Sequence, residues 1–169
     1  MSMSAQLLSA FDHIIEGTKP HLAAIPSDRL EWRPHEKSYT IGELGTHLAN
    51  LPMWTMATLG ADEFDVAPPG EEPPRQAPLG SADEILAHLE ENAAAARGAI
   101  EGASDEELMK GWTLLAGGEA LFTLPKIAVL RTFIMDHMIH HRGQLTVYLR
   151  LLDVPVPQTF GPTADFPDM

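Results

Sequence analysis

The sequence contains no cysteine. Disulfides, thiolate metal sites and a cysteine nucleophile are therefore excluded, and a reducing, cytoplasmic setting is expected. Basic residues are also scarce: 11 Lys plus Arg against 24 Asp plus Glu leave a formal net charge of −13. A surface of that sign repels a phosphate backbone, and no basic patch offsets it, so nucleic acid is not an expected partner. No apolar run reaches the about 18 residues of a membrane-spanning helix. The opening Met1–Gln6 lacks a basic segment followed by an apolar block, so no secretory signal is expected. Internal repeats and a glycine-rich phosphate loop are missing too.

What is present is a globular composition, 44% hydrophobic over 169 residues, enough for one domain spanning 1–169. Leu7, Leu8, Phe11, Ile14, Ile15 and Leu22 recur at helical spacing and predict a first helix over 4–23, with Pro20 kinking or ending it. Residues 24–39, with Pro26 and Pro34, read as a loop. Thr40 and Glu43 have the form of a capping box opening a second helix, whose inward face is Ile41, Leu44, Leu48, Leu51 and Thr55 and which Pro52 should kink. The stretch 60–80 is rich in Pro, Gly and acids and reads as an irregular linker. Extended at ~3.1 Å per residue it spans roughly 60 Å, enough to return along a bundle. Ser81 and Glu84 have capping-box form again and open a third helix to about residue 101, with Ile85, Leu86, Leu89 and Ile100 inward. Residues 112–124 read as a β-hairpin turning at Gly117-Gly118. Pro125 then starts a fourth helix running to about Leu152. The expected class is all-α, a four-helix bundle with a small β-hairpin before the last helix.

The histidines carry the chemistry. His137 and His141 lie four apart, about 40° from each other around a helix and one turn apart, so two imidazoles can converge on one ion. Both interrupt the stripe Ile127, Leu130, Ile134, Leu145, Tyr148 and Leu152, so the residues that pack the helix also carry them inward. His140, about 100° from His141, is off that stripe. His47 sits among Leu44, Leu48 and Leu51 on the second helix, and bundles build metal sites from facing helices. Three neutral nitrogens leave at least one coordination position for water or substrate. A single inward histidine is more often packed and hydrogen bonded than ligating, but three in one small core call for partners. The residues themselves leave three readings open: a metal-dependent enzyme, a metal or small-ligand binding protein without turnover, and a structural bundle without metal.

Trp32-Arg33-Pro34, the run Ser38–Ala49 containing His47, Asp136–Gln144 and the ending Val156-Pro157 with Phe160–Asp165 together resemble the DinB/YfiT-like metalloenzymes. The resemblance implies an up-down-down-up four-helix bundle with a long crossover between the second and third helices. It implies metal ligation by one histidine from the second helix and an HxxxH pair from the fourth, here His47, His137 and His141. It further implies a small-molecule substrate and thiol transfer in which a low-molecular-weight thiol takes part; a three-histidine set accepts zinc or nickel, and a metal-bound water would allow hydrolysis instead. A homodimer formed through the helices is expected on the same ground.

Around these positions, Glu43 is expected to serve as helix cap rather than general base. Asp136 is either an acceptor orienting a ligand histidine or a solvated acid. Gln144 falls near the ligand face. Arg142 is expected to face solvent or another subunit, and His13, His21, His35 and His88 read as ordinary surface or loop residues. Trp54, Met53 and Met56 cluster after Pro52 and are expected in the core, or else lining a pocket or an interface.

Overall fold

A computed structural model describes residues 2–70 and 77–168 of the chain. The first helix, α1 (Met3–Ala23), is capped by Ser2, whose hydroxyl accepts from Ala5 N at 3.2 Å, and buries Leu7, Phe11, Ile14, Ile15 and Leu22. Pro20 does not end it: the proline forfeits the one bond its N–H would have made to the Glu16 carbonyl, and the helix runs on to Ala23. α2 (Ile41–Asn50) opens on the capping box read from the sequence. Thr40 Oγ1 accepts from Glu43 N at 3.1 Å while Glu43 Oε2 accepts from Thr40 N at 2.6 Å. At Pro52 the helix tightens into a 3₁₀ turn, Leu51–Met53, and resumes as α3 (Trp54–Gly60).

α4 (Ala82–Gly102) begins after Ser81, which accepts from Glu84 N at 3.1 Å. The second arm of that cap is displaced, because Glu84 accepts from Gly80 N rather than from Ser81. A short α5 (Asp105–Met109) follows. The chain then enters β2 (Gly111–Ala116) and β3 (Glu119–Pro125), an antiparallel pair. Gly117 and Gly118 make the turn with φ of 65° and 81°, the left-handed region that a two-residue hairpin of this twist needs. The last helical stretch is continuous in space but not uniform: α6 (Lys126–Val129), a π-helical segment (Leu130–Asp136), and α7 (His137–Leu151).

Two expectations need correcting. The expected hairpin is two strands of a three-stranded sheet, because Glu63–Asp65, inside the stretch read as an irregular linker, forms β1 and pairs in parallel with β2. A three-residue strand is too short to show alternation, and its partner lies about fifty positions downstream, so no local pattern announces it. The 71–76 part of the expected crossover lies outside the described residues. The protein is thus mostly helical with a small sheet rather than helical with a lone hairpin.

α1 packs on α4 and α7, and α2 packs on α4 and α7. Leu22, Ile41, Leu48, Ile85, Leu89, Leu145 and Leu149 meet in the shared core with essentially no exposure. Each such side chain contributes roughly 1.5–3 kcal/mol relative to exposure. Gly45 lets α2 and α4 approach, since a Cβ there would stand 2.7 Å from Ile25 Cδ1 and 3.2 Å from Ile85 Cδ1. Beyond α7 the chain is irregular but docked: Asp165 pairs with both terminal nitrogens of Arg150 and accepts from Val156 N at 2.9 Å. Among the described residues no helix is long and apolar enough to cross a membrane.

Candidate metal centre

α2 presents His47 from a face whose neighbours Leu44, Leu48 and Leu51 are buried, while His47 itself is half-buried. α7 presents His137 from its first residue and His141 one turn on. The structure brings the three together. His47 Nε2 and His137 Nε2 are 3.4 Å apart, and His137 Nε2 and His141 Nε2 are 2.8 Å apart. One nitrogen from each ring lies within 4.8 Å of the other two. Two ligands at about 2.1 Å from a tetrahedral ion are separated by roughly 3.4 Å, so side-chain rotations suffice to close the set on one ion.

The outer nitrogens say which faces point inward. His137 Nδ1 donates to the Phe133 carbonyl at 3.3 Å, and His141 Nδ1 donates to Gln144 Oε1 at 2.7 Å. With the protons on Nδ1, both Nε2 atoms present lone pairs to each other, an arrangement that a shared cation would satisfy. Burial pushes His47 down to about 4, with the neighbouring His141 and His137 adding to the shift, and burial also pulls His141 below its ordinary value. Near neutral pH these two rings are therefore unprotonated, the form that ligates. The donor set fits a divalent ion, which these residues could hold.

Gln144 acts on the set through His141, and its Nε2 also donates to His140 Nε2 at 3.0 Å. Asp136 does not take part: it is half-exposed and pairs with Arg131 at 3.6 Å, and the carbonyl of Phe133 holds His137 in its stead. Glu43 is committed to the cap.

The π-helical segment explains both the position of His137 and an error of register. A π turn inserts extra chain, so the inward face after residue 134 shifts by one position. The buried residues from 134 onward in this stretch are Ile134, Met135, Met138, His141, Arg142, Leu145 and Leu149, whereas His137 stands half-buried at their margin. Arg142, expected in solvent, is only 3% exposed; its Nη1 donates to the Ile14 carbonyl at 3.3 Å and its guanidinium lies over the Phe160 ring at 5.3 Å. His21, also expected at the surface, is fully buried, with Nδ1 donating to the Gly17 carbonyl at 2.9 Å and Nε2 accepting from Thr159 Oγ1 at 3.2 Å. Of the remaining histidines, His13 and His35 are exposed and His88 meets Asn50 Oδ1 at 2.7 Å.

Beside His47 and His137 opens a cleft of about 250 Å³ whose other walls include Trp54, Trp112, Phe122 and Phe133. The sequence offered Trp54 as a pocket residue among its alternatives but not the cleft itself, whose walls come from α3, the sheet and the π-helical segment together. Trp54 lines it, whereas Met53 and Met56 are about half exposed rather than in the core.

Comparison with known proteins agrees with this architecture. A DinB-like protein from Bacillus cereus ATCC 10987 superposes with a TM-score of 0.71 at 21% identity, covering 91% of this chain and 95% of that one. A DinB-like protein from Bacillus subtilis gives a TM-score of 0.69 at 20% identity, covering 91% and 97%. No curated protein matches the sequence. The family model named DinB family matches residues 1–167, and the chain belongs to the DinB family.

Proposed function

We propose that the protein is a metal-dependent enzyme in which His47, His137 and His141 hold one divalent ion, zinc or nickel, with a coordination position left for a ligand. The observation that carries this is the convergence of three Nε2 atoms whose outer nitrogens, on His137 and His141, are already engaged by Phe133 and Gln144. A divalent ion supplies positive charge that lowers the pKa of a coordinated thiol or water near neutral pH. The chain's own part is to keep His47 and His141 neutral by burial, to fix the ring planes, and to offer a water-poor cleft at one side. On that basis the reaction is thiol transfer or hydrolysis on a small molecule, with a low-molecular-weight thiol as co-substrate in the first case.

The alternative is a metal or small-ligand carrier built on the same triad. A carrier has no need of a cleft beside the ion, and the cleft at His47 and His137 favours the enzyme. The same proposal takes the packing of α1 and α2 on both α4 and α7 as an up-down-down-up four-helix bundle. It takes exposed Val147 and Leu151 on α7 as part of a homodimer face, and the lack of cysteine as that of a cytoplasmic protein. The test is turnover: a panel of electrophiles with several cellular thiols, assayed before chelation, after chelation and after adding metal back. A rate lost on chelation and restored by the ion is expected. No metal-dependent rate with any pair in a protein that does carry the ion would favour the carrier.

A further inference from the structure

The cleft beside the triad runs outward from His47 and His137 between α3, the sheet and the π-helical segment. Its polar lining apart from the two imidazoles and the indole rings is Thr58, whose hydroxyl is already given to the Trp54 carbonyl at 2.9 Å. Among the described residues that line it there is no Asp, Glu, Lys or Arg. The chain as a whole is strongly acidic, so a neutral wall at this one concave surface sets it apart from its surroundings.

Its aromatic rings are held in place from behind. Phe122 of β3 and Phe133 of the π-helical segment stack with centroids 4.7 Å apart and planes 12° from parallel. Trp54 is braced edge-on by Phe64 of β1 at 5.1 Å. Phe133, in the lining, remains 41% exposed, a large apolar surface that water covers at a cost. The lining itself offers an anionic ligand no counter-charge, so a charge held away from the ion's end of the cleft would be desolvated without compensation. A flat apolar ligand would find ring faces and edges on several sides.

We propose that this cleft takes a small uncharged aromatic molecule, or the uncharged aromatic end of a larger one, with its functional group toward His47 and His137. The assignment of the ligand to the reaction rests on the metal-enzyme reading above; the binding itself does not. A thiol bearing carboxylates is accordingly the partner that stays outside the cleft.

Phe133 ties the two parts together, since its ring walls the cleft and its carbonyl holds His137 Nδ1. The experiment is calorimetric titration of the full chain with 2-naphthol and with 6-hydroxynaphthalene-2-sulfonate, which keeps the hydroxyl and carries its charge at the opposite end of the ring system, metal content being measured on the same sample. One equivalent of 2-naphthol is expected to bind, and the sulfonate at least about tenfold more weakly. Val66→Trp, which fills the cleft from the chain just after β1, should weaken 2-naphthol by about tenfold or more at unchanged metal content. If that variant does not fold, Leu114→Trp fills the cleft from β2 and is expected to do the same. Equal affinity for the two naphthyl compounds, or undiminished 2-naphthol binding in the folded filled variant, overturns the proposal. Protein free of metal yet selective for 2-naphthol would instead sink the metal reading and leave this one standing.

Discussion

A buried histidine and a partly buried histidine triad in this molecule are solved in opposite ways. His21 has both ring nitrogens engaged, one with the Gly17 carbonyl of its own helix and one with Thr159 of the docked tail. It is complete as a hydrogen-bonded core residue. The triad is engaged on one side alone: His137 and His141 give their Nδ1 protons to Phe133 and Gln144, and their Nε2 atoms face each other and His47. Burial by itself therefore does not mark a metal ligand. The informative feature is a set of three ring nitrogens turned toward a common point, two of them on rings whose outer nitrogens are already engaged.

The largest effect that could break this contrast is at His137. His137→Ala should reduce metal content from close to one equivalent in untagged wild type to almost none, read by elemental analysis; equal content in both would eliminate the site. His21→Ala should leave metal content untouched, and a variant that lost its ion would blur the distinction between the two sites.

Next in size is Gln144. Gln144→Ala frees the His141 ring, and metal affinity should fall by about 10–100-fold in a competition titration with a chelator. Unchanged affinity would mean that Gln144 packs without orienting.

The structural role of His21 predicts a loss of stability of about 2–4 kcal/mol in His21→Ala from denaturant unfolding. Its pH dependence sharpens this. Burial lowers the pKa of His21, a hydrogen bond from the ring to Gly17 opposes that shift, and Arg142 adds to it. The folded state thus takes up its proton below the ordinary histidine value, so the stability His21 contributes is present above about pH 6.5 and is lost as pH falls. The gap between wild type and His21→Ala should narrow from pH 7 to pH 5.

The smallest effect lies at a place remote from both. Lys126 is 1% exposed and pairs with Glu107 at 2.5 Å and Asp62 at 3.2 Å, joining α5 to the start of α6. Hydrogen bonds from Lys110 and Lys126 hold Glu107 down at about 2. Its contribution is present above the ordinary glutamate value and fades as pH falls toward 2. Glu107→Gln should melt a few degrees lower than wild type at pH 7, with the two curves converging in acid; a gap that is constant with pH would count against the ion pair.

Much of the fold was legible in the sequence because it is local. The caps at Ser81 and Thr40 come from side chains three residues from the donors they satisfy, and the positive-φ turn at Gly117-Gly118 from the residues themselves. His47, His137 and His141 stood out because they interrupt apolar faces. The burial of Arg142 and His21 was not legible, since both are polar and their partners, Ile14, Phe160 and Thr159, lie far along the chain. Periodicity at 3.6 residues per turn also misjudged the last helical stretch, because the π-helical segment from Leu130 to Asp136 shifts the phase of α7.

The amino-acid order alone determined the long helices and picked out His47, His137 and His141 as the histidines that interrupt apolar faces, because those depend on spacing within a turn or two. Only the tertiary structure decided that β1 leaves the acidic linker to join the sheet, that Gln144 and the Phe133 carbonyl turn two rings toward the third, and that a neutral aromatic cleft opens beside them. These depend on contacts between distant parts of the chain, and no local pattern encodes where such parts meet.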